Sequence, residues 1–162
     1  MKNISIRLIR KTDNAIIADI IRKILIEFGA NKPGTVFFDP TTDDLFQLFS
    51  APNAAYYIAE ADGRIVGGSG VFPTPGLPKG YCELVKLYLI SEMRGQGLGL
   101  LLMEKCFQNA IDFGFTHMYL ETMPELRTAI GLYEKAGFSF LPGPLGQSGH
   151  FGCDLWMIKN LF

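Results

Sequence analysis

Between residues 81 and 113 the hydrophobic period changes from about two to about 3.6 residues across a run of alternating glycines, Arg94-Gly95-Gln96-Gly97-Leu98-Gly99. Tyr81 to Ile90 reads as a strand. The helix that follows to about Phe113 carries Leu98, Leu101, Leu102, Lys105 and Cys106 along one mostly apolar side. The first-turn amides of such a helix have no partner inside it and point outward at the positive end of its dipole. A corner of this kind binds phosphate, and alternating glycines let the backbone approach an anion with no side chain in the way. Arg94 can add a charge-assisted contact. Two other phosphate loops fit poorly. A P-loop requires Lys-Ser or Lys-Thr after its last glycine, where this chain has Leu100-Leu101. A dinucleotide fingerprint spaces its glycines G-x-G-x-x-G early in a βαβ unit, whereas these stand at 95, 97 and 99, late in the chain. Taken alone, the run also fits a glycine-softened turn with no ligand.

The elements around this corner define a fold class. Ile4, Ile6 and Leu8 alternate as a half-buried strand, and Thr12-Asp13-Asn14 can cap a helix. Ile16, Ile17, Ile20, Ile21, Ile24, Leu25 and Phe28 recur at helical spacing until Gly29 stops them. Ala30 to Pro40 reads as a loop carrying Phe37 and Phe38, and Thr42 is placed to cap a short helix through about Phe49. Ala55 to Ala61 and Arg64 to Phe72 form an antiparallel hairpin about Asp62-Gly63. After the glycine corner come a strand from Thr116 to Thr122, a helix from about Glu125 to Ala136 that Gly137 ends, and strands at Phe138–Leu141 and Phe151–Lys159. The order predicts a mixed α/β fold with one central sheet and helices on its faces, in a single domain over residues 1–162.

Composition narrows the function. Fifteen basic against sixteen acidic side chains leave a net charge of −1, which argues against a nucleic-acid partner. Met1 to Lys11 alternates polar and apolar residues, unlike a signal peptide, and no apolar run approaches the roughly 18 residues of a membrane helix. The expectation is a cytoplasmic protein without a membrane segment. Cys82, Cys106 and Cys153 fit neither a disulfide framework nor a zinc pattern, so no metal is expected. A catalytic cysteine would need His117 or His150 as partner, and Cys106 lies in an apolar helical pattern where packing is the simpler role.

Three segments together are more specific: Glu83-Leu-Val-Lys-Leu-Tyr-Leu-Ile, Arg94-Gly-Gln-Gly-Leu-Gly, and Leu132-Tyr-Glu-Lys-Ala-Gly-Phe138. They resemble the GNAT superfamily of acetyl-CoA-dependent N-acyltransferases, whose Q/R-x-x-G-x-G/A signature is matched at Arg94, Gly97 and Gly99. The resemblance is close over residues 81 to 138, with one departure: many members carry an asparagine where this chain has Leu126. It implies a mostly antiparallel mixed sheet of about seven strands flanked by about four helices.

The resemblance also implies a chemistry. Acetyl-CoA is the co-substrate, its pyrophosphate on the amides of Arg94, Gly95, Gln96, Gly97, Leu98 and Gly99, its pantetheine arm along Leu87, Tyr88 and Leu89. The acetyl group passes directly to an amine of a small molecule or peptide. A primary amine with pKa near ~10.4 is protonated at neutral pH, so a base is useful. Glu83, eleven residues before Arg94, stands where the histone-modifying branch of the family places its base. In a regular strand it shares a face with Val85, Leu87 and Leu89, where desolvation would raise its pKa; a carboxylate at the strand's solvated end is the alternative. Tyr133 matches the tyrosine that assists the departing thiolate in many members, or else packs on the core face of its helix. The acceptor is expected among Phe37, Phe72 and His150, with Phe28, Tyr81 and Phe151 as further apolar candidates. Members often pair as homodimers, and no surface here marks such pairing. A module of the same fold that senses acyl-CoA without turnover would carry the same residues.

Overall fold

The computed structural model describes Met1–Phe162. Seven strands form one sheet in the order β1-β2-β3-β4-β5-β7-β6: β1 (Ile4–Leu8), β2 (Ala55–Ala61), β3 (Arg64–Phe72), β4 (Tyr81–Leu89), β5 (His117–Thr122), β6 (Ser139–Leu141) and β7 (Leu155–Asn160). All neighbours are antiparallel except β4 and β5. The helices are α1 (Asn14–Glu27), α2 (Leu45–Leu48), α3 (Leu98–Asp112) and α4 (Arg127–Lys135). No helix is long and apolar enough to cross a membrane.

Two apolar clusters lie on opposite faces of the sheet. Ile17, Ile21 and Leu25 of α1 pack with Tyr56, Ile58 and Phe49, whereas Leu98, Leu102 and Cys106 of α3 pack with Tyr57, Leu84 and Met118. Alternation along β2 explains the split, since Tyr56 and Ile58 point to one side and Tyr57 and Ala59 to the other. The β2–β3 hairpin turns at Asp62 and Gly63 with φ of 51° and 78°, the paired positive values of a tight turn matched to strand twist.

Several expected details differ. Thr42 is buried inside a 3₁₀ turn and donates to the Val36 carbonyl, while Asp39 and Asp44 supply the caps through Thr41 N and Gln47 N. Leu101 faces outward and Met103 takes its place in the core. The last strand begins at Leu155, because Phe151 to Asp154 remain in the glycine-rich loop.

The feature that positions the site is a bulge in β4. Gly68 pairs with Tyr88 but Gly70 pairs with Val85, so β4 carries one residue more than β3 across this stretch. Lys86 accommodates it with φ of 53°. The bulge reverses alternation: Leu84, Leu87 and Leu89 pack on the α3 face, Val85 and Tyr88 on the α1 face. Glu83 therefore shares a face with Val85 and Tyr88, not with Leu87 and Leu89 as a regular strand predicts. Tyr56 Oη pins the bulge by donating to the Lys86 carbonyl at 2.8 Å. Its ring can lie across β3 because a Cβ on Gly68 or Gly70 would fall 2.6 or 2.7 Å from it.

Candidate functional site

β4 and β5 pair only at Tyr81–His117, Cys82–Met118 and Glu83–Tyr119. Beyond Glu83 the strands part, leaving the far edge of β4 without a strand partner and a cavity of about 360 Å³ at the fork. Glycines 95, 97 and 99, Leu87 to Leu89, Tyr133, Glu83 and His150 all line it. The structure thus brings most of the sequence-predicted site residues to one place.

At the corner, the backbone nitrogens of Gly95, Gln96, Gly97, Leu98 and Gly99 donate to no acceptor in the protein; the first return bond of α3 runs from Leu101 N to the Gly97 carbonyl. Arg94 N is occupied by Ser91 O. Gly95 and Gly97 have φ of 71° and 82°, and an added Cβ at either meets nothing within 4 Å. Five consecutive free amides at the head of a fifteen-residue helix, with open space at Gly95 and Gly97, suit a diphosphate. The Arg94 guanidinium does not reach toward them. It is paired with Glu27, donates to the Leu89 carbonyl at 2.9 Å and lies 4.9 Å from the centre of the Phe28 ring, so it braces the corner. Gln96 likewise ties back to the Glu92 carbonyl, and Leu98 is buried beneath the loop.

At the fork, Glu83 is only 3% exposed and accepts a hydrogen bond from Thr74 Oγ1 at 2.6 Å. Burial pushes its pKa up to about 7; the Thr74 bond opposes that, the nearby Glu121 adds to it, and Lys86 opposes it. Tyr133 is buried with its ring edge-on to Phe138, as the packing alternative expects, and it also lines the cavity. Desolvation holds its phenol well above the ordinary value and therefore neutral. Cys153 is a further lining residue, its thiol pushed up to about 12 by burial, which leaves it a poor nucleophile. Cys82 and Cys106 are buried in the core.

On the side away from the glycine corner, His150 Nε2 lies 2.9 Å from Asp39. Glu121, absent from the sequence-based candidates, is held by Tyr119 Oη at 2.7 Å and by Ser148 Oγ of the glycine-rich loop. Lys86 was missed too. Each is a charged residue inside a mostly apolar strand, a signal that the sequence offers and that alternation alone does not interpret. Phe37 and Phe72 do not line the cavity: both pack around the α1 cluster, Phe72 against Phe49 with ring centres 5.6 Å apart. Of the other aromatics, Phe28 is at the cavity wall, Tyr81 stacks on His117, and Phe151 is exposed.

Residues 20–138 match the model of the Acetyltransferase (GNAT) family. The chain is 40% identical over 151 residues to the "Uncharacterized N-acetyltransferase YjgM" of Escherichia coli K12, covering 92% of this chain and 90% of that protein. Its fold is similar to a GNAT-family acetyltransferase from Staphylococcus aureus Mu50, with TM-score 0.87 and 18% identity over 99% of this chain and all of that one. A PaiA N-acetyltransferase from Thermoplasma acidophilum, solved in complex with coenzyme A, superposes with TM-score 0.76 and 18% identity over 98% of this chain and 99% of that one.

Proposed function

Because this chain belongs to the Acetyltransferase (GNAT) family, we propose that it passes the acetyl group of acetyl-CoA directly to a primary amine in a ternary complex. The observation that carries this reading is the run of free amides from Gly95 to Gly99 opening into the same cavity as a buried carboxylate of raised pKa. The amides take the pyrophosphate, and the unpartnered edge of β4 at Leu87, Tyr88 and Leu89 takes the pantetheine arm by backbone hydrogen bonds. Acetyl-CoA supplies an activated thioester.

Glu83, ionised above a pH of about 7, removes a proton from the bound ammonium, so that the neutral amine can attack the thioester carbon. The new C–N bond forms as the C–S bond breaks, and the second proton shed by the nitrogen goes to the departing sulfur, giving an amide and the CoA thiol. Tyr133, a neutral phenol at the cavity wall, donates a hydrogen bond to the departing thiolate. Glu121 adds a second carboxylate that favours a cationic acceptor.

The reading is tested by incubating the protein with acetyl-CoA and a panel of amines while following free thiol. Thiol release that depends on an added amine and matches product one for one is expected. Absence of release with every amine, or release that ignores the amine, would sink it.

A further inference from the structure

Acetyl transfer as described leaves the one buried lysine of the cavity unused. Lys86 lines the cavity at only 8% exposure, and its Nζ makes no hydrogen bond or ion pair within the protein. The carboxylates around the fork are otherwise engaged. Glu83 accepts from Thr74, Asp39 from Thr41 and His150, and Glu121 from Tyr119 and Ser148. A largely buried ammonium at the cavity wall with no acceptor in the protein is placed to receive one from a ligand. The backbone does not explain it either, since the bulge demands a positive φ that lysine disfavours. A second unsatisfied group adjoins the same space: Thr122 lines the cavity, and its buried Oγ1 has no partner.

Resting on the acetyl-transfer reading, we propose that the acceptor amine also bears a carboxylate, which Lys86 receives with Thr122 as a second donor. The acceptor is then amino-acid-like: its amine lies toward Glu83 and its carboxylate toward Lys86. A phosphate dianion fits less well, because Asp39 and Glu83 contribute negative potential at Lys86 that one ammonium can offset for one negative charge only.

The test compares the twenty common amino acids, 4-aminobutyrate and the dipeptide Ala-Ala, each beside its carboxamide, as acceptors with the wild-type protein and with Lys86→Met. For at least one pair, the wild type should favour the carboxylate at least tenfold in kcat/KM, and Lys86→Met should bring that ratio to within twofold. The dipeptide arm distinguishes a free amino acid from a peptide C-terminus as the carboxylate's source. A wild-type protein that acetylates amines without preferring any carboxylate overturns the inference and leaves the acetyl-transfer reading standing. Should no amine release thiol, calorimetry of the same pairs decides. Binding of a carboxylate at least tenfold tighter than its carboxamide, lost in Lys86→Met, keeps the anion site; equal or absent binding removes it.

Discussion

At Glu83, burial keeps a proton bound up to a pH of about 7, whereas an unperturbed glutamic acid releases it near ~4.3. Between those values the folded protein holds a proton that the unfolded chain has lost, so stability falls as pH rises through this window and stays lower above it. At about 1.4 kcal/mol per pH unit, the ionised carboxylate destabilises the fold by about 4 kcal/mol at pH 8. Glu83→Gln keeps an oxygen for Thr74 and removes the charge. It should be more stable than the wild type by about 1–3 kcal/mol at pH 8 and nearly equal at pH 5, read from urea melts. Its kcat/KM should fall ~10²-fold or more and lose the limb that rises near pH 7 in the wild type; a limb that persists in the variant takes Glu83 out of the base role. Glu121, Lys86 and Thr74 are the groups that set this window, and Glu121→Gln should shift the limb toward lower pH. Tyr133 makes the contrasting case, because its hydroxyl forms no hydrogen bond in the protein and Tyr133→Phe removes nothing the fold uses. That variant should keep its melting temperature and CoA affinity while kcat drops about 10- to 100-fold, and an unaltered kcat would exclude the phenol from the reaction. Glu83 and Tyr133 could be singled out in the sequence through the resemblance of their segments to the family. Lys86 and Glu121 could not, since a charge within a mostly apolar strand reads as a solvated edge until the neighbours that bury it are known.

Among the elements, β4 decides how much a sequence can disclose. Its existence, its limits near Tyr81 and Leu89 and the helix after it follow from hydrophobic period alone. The bulge at Lys86 does not, because it is a relation between β4 and β3, and the residues that sustain it belong to β2 and β3. Gly68 and Gly70 read as weak points in a strand when taken singly; in the sheet they clear space for the Tyr56 ring, whose hydroxyl holds the Lys86 carbonyl. Tyr56→Phe should cost about 1–2 kcal/mol by leaving that buried carbonyl unsatisfied. It should lower kcat as well, since the bulge aims the backbone of Leu87 to Leu89 into the fork; a variant equally stable and equally active would mean that the bulge needs no pin. The glycines of the corner separate in the same way. At Gly99 a Cβ would lie 2.8 Å from the terminal methyl of the half-buried Leu132 of α4, so Gly99→Val should push that side chain aside at modest cost. Gly97 has open space around it but a φ of 82°. Gly97→Val should cost about 1–2 kcal/mol of backbone strain yet weaken CoA binding at least tenfold by isothermal titration, because the valine stands where the pyrophosphate would lie. A Kd unchanged from the wild type would remove the corner from CoA binding.

For the whole molecule, the consequence of the fork is that the sheet is continuous across β4 and β5 through only three residue pairs. On one side lie β1 to β4, each pair in long antiparallel register; on the other, β5 is joined to β7 over six pairs and β7 to β6 over three. Helix α3 packs on β2, β3 and β4, and its first turn meets α4 through Gly99 and Leu132, so the corner lies at the junction of the two halves. A ligand that takes the free amides of α3 and lines the unpartnered edge of β4 fills the fork where the two halves part. Binding to the folded state alone stabilises by about 2.7 kcal/mol at a concentration a hundredfold above Kd. For a chain of 162 residues that is a rise in melting temperature of roughly 5–10 °C. CoA at such a concentration should therefore raise the transition by several degrees and slow hydrogen exchange in β5 and β4 beyond Glu83, where the seam opens. ATP shares the nucleotide and phosphates of CoA but has no pantetheine arm to lie along β4, so it should stabilise less and leave β4 exchange unchanged. If ATP or NAD stabilised the protein as much as CoA, the corner would be a general nucleotide site and the β4 edge would have no part in holding the ligand.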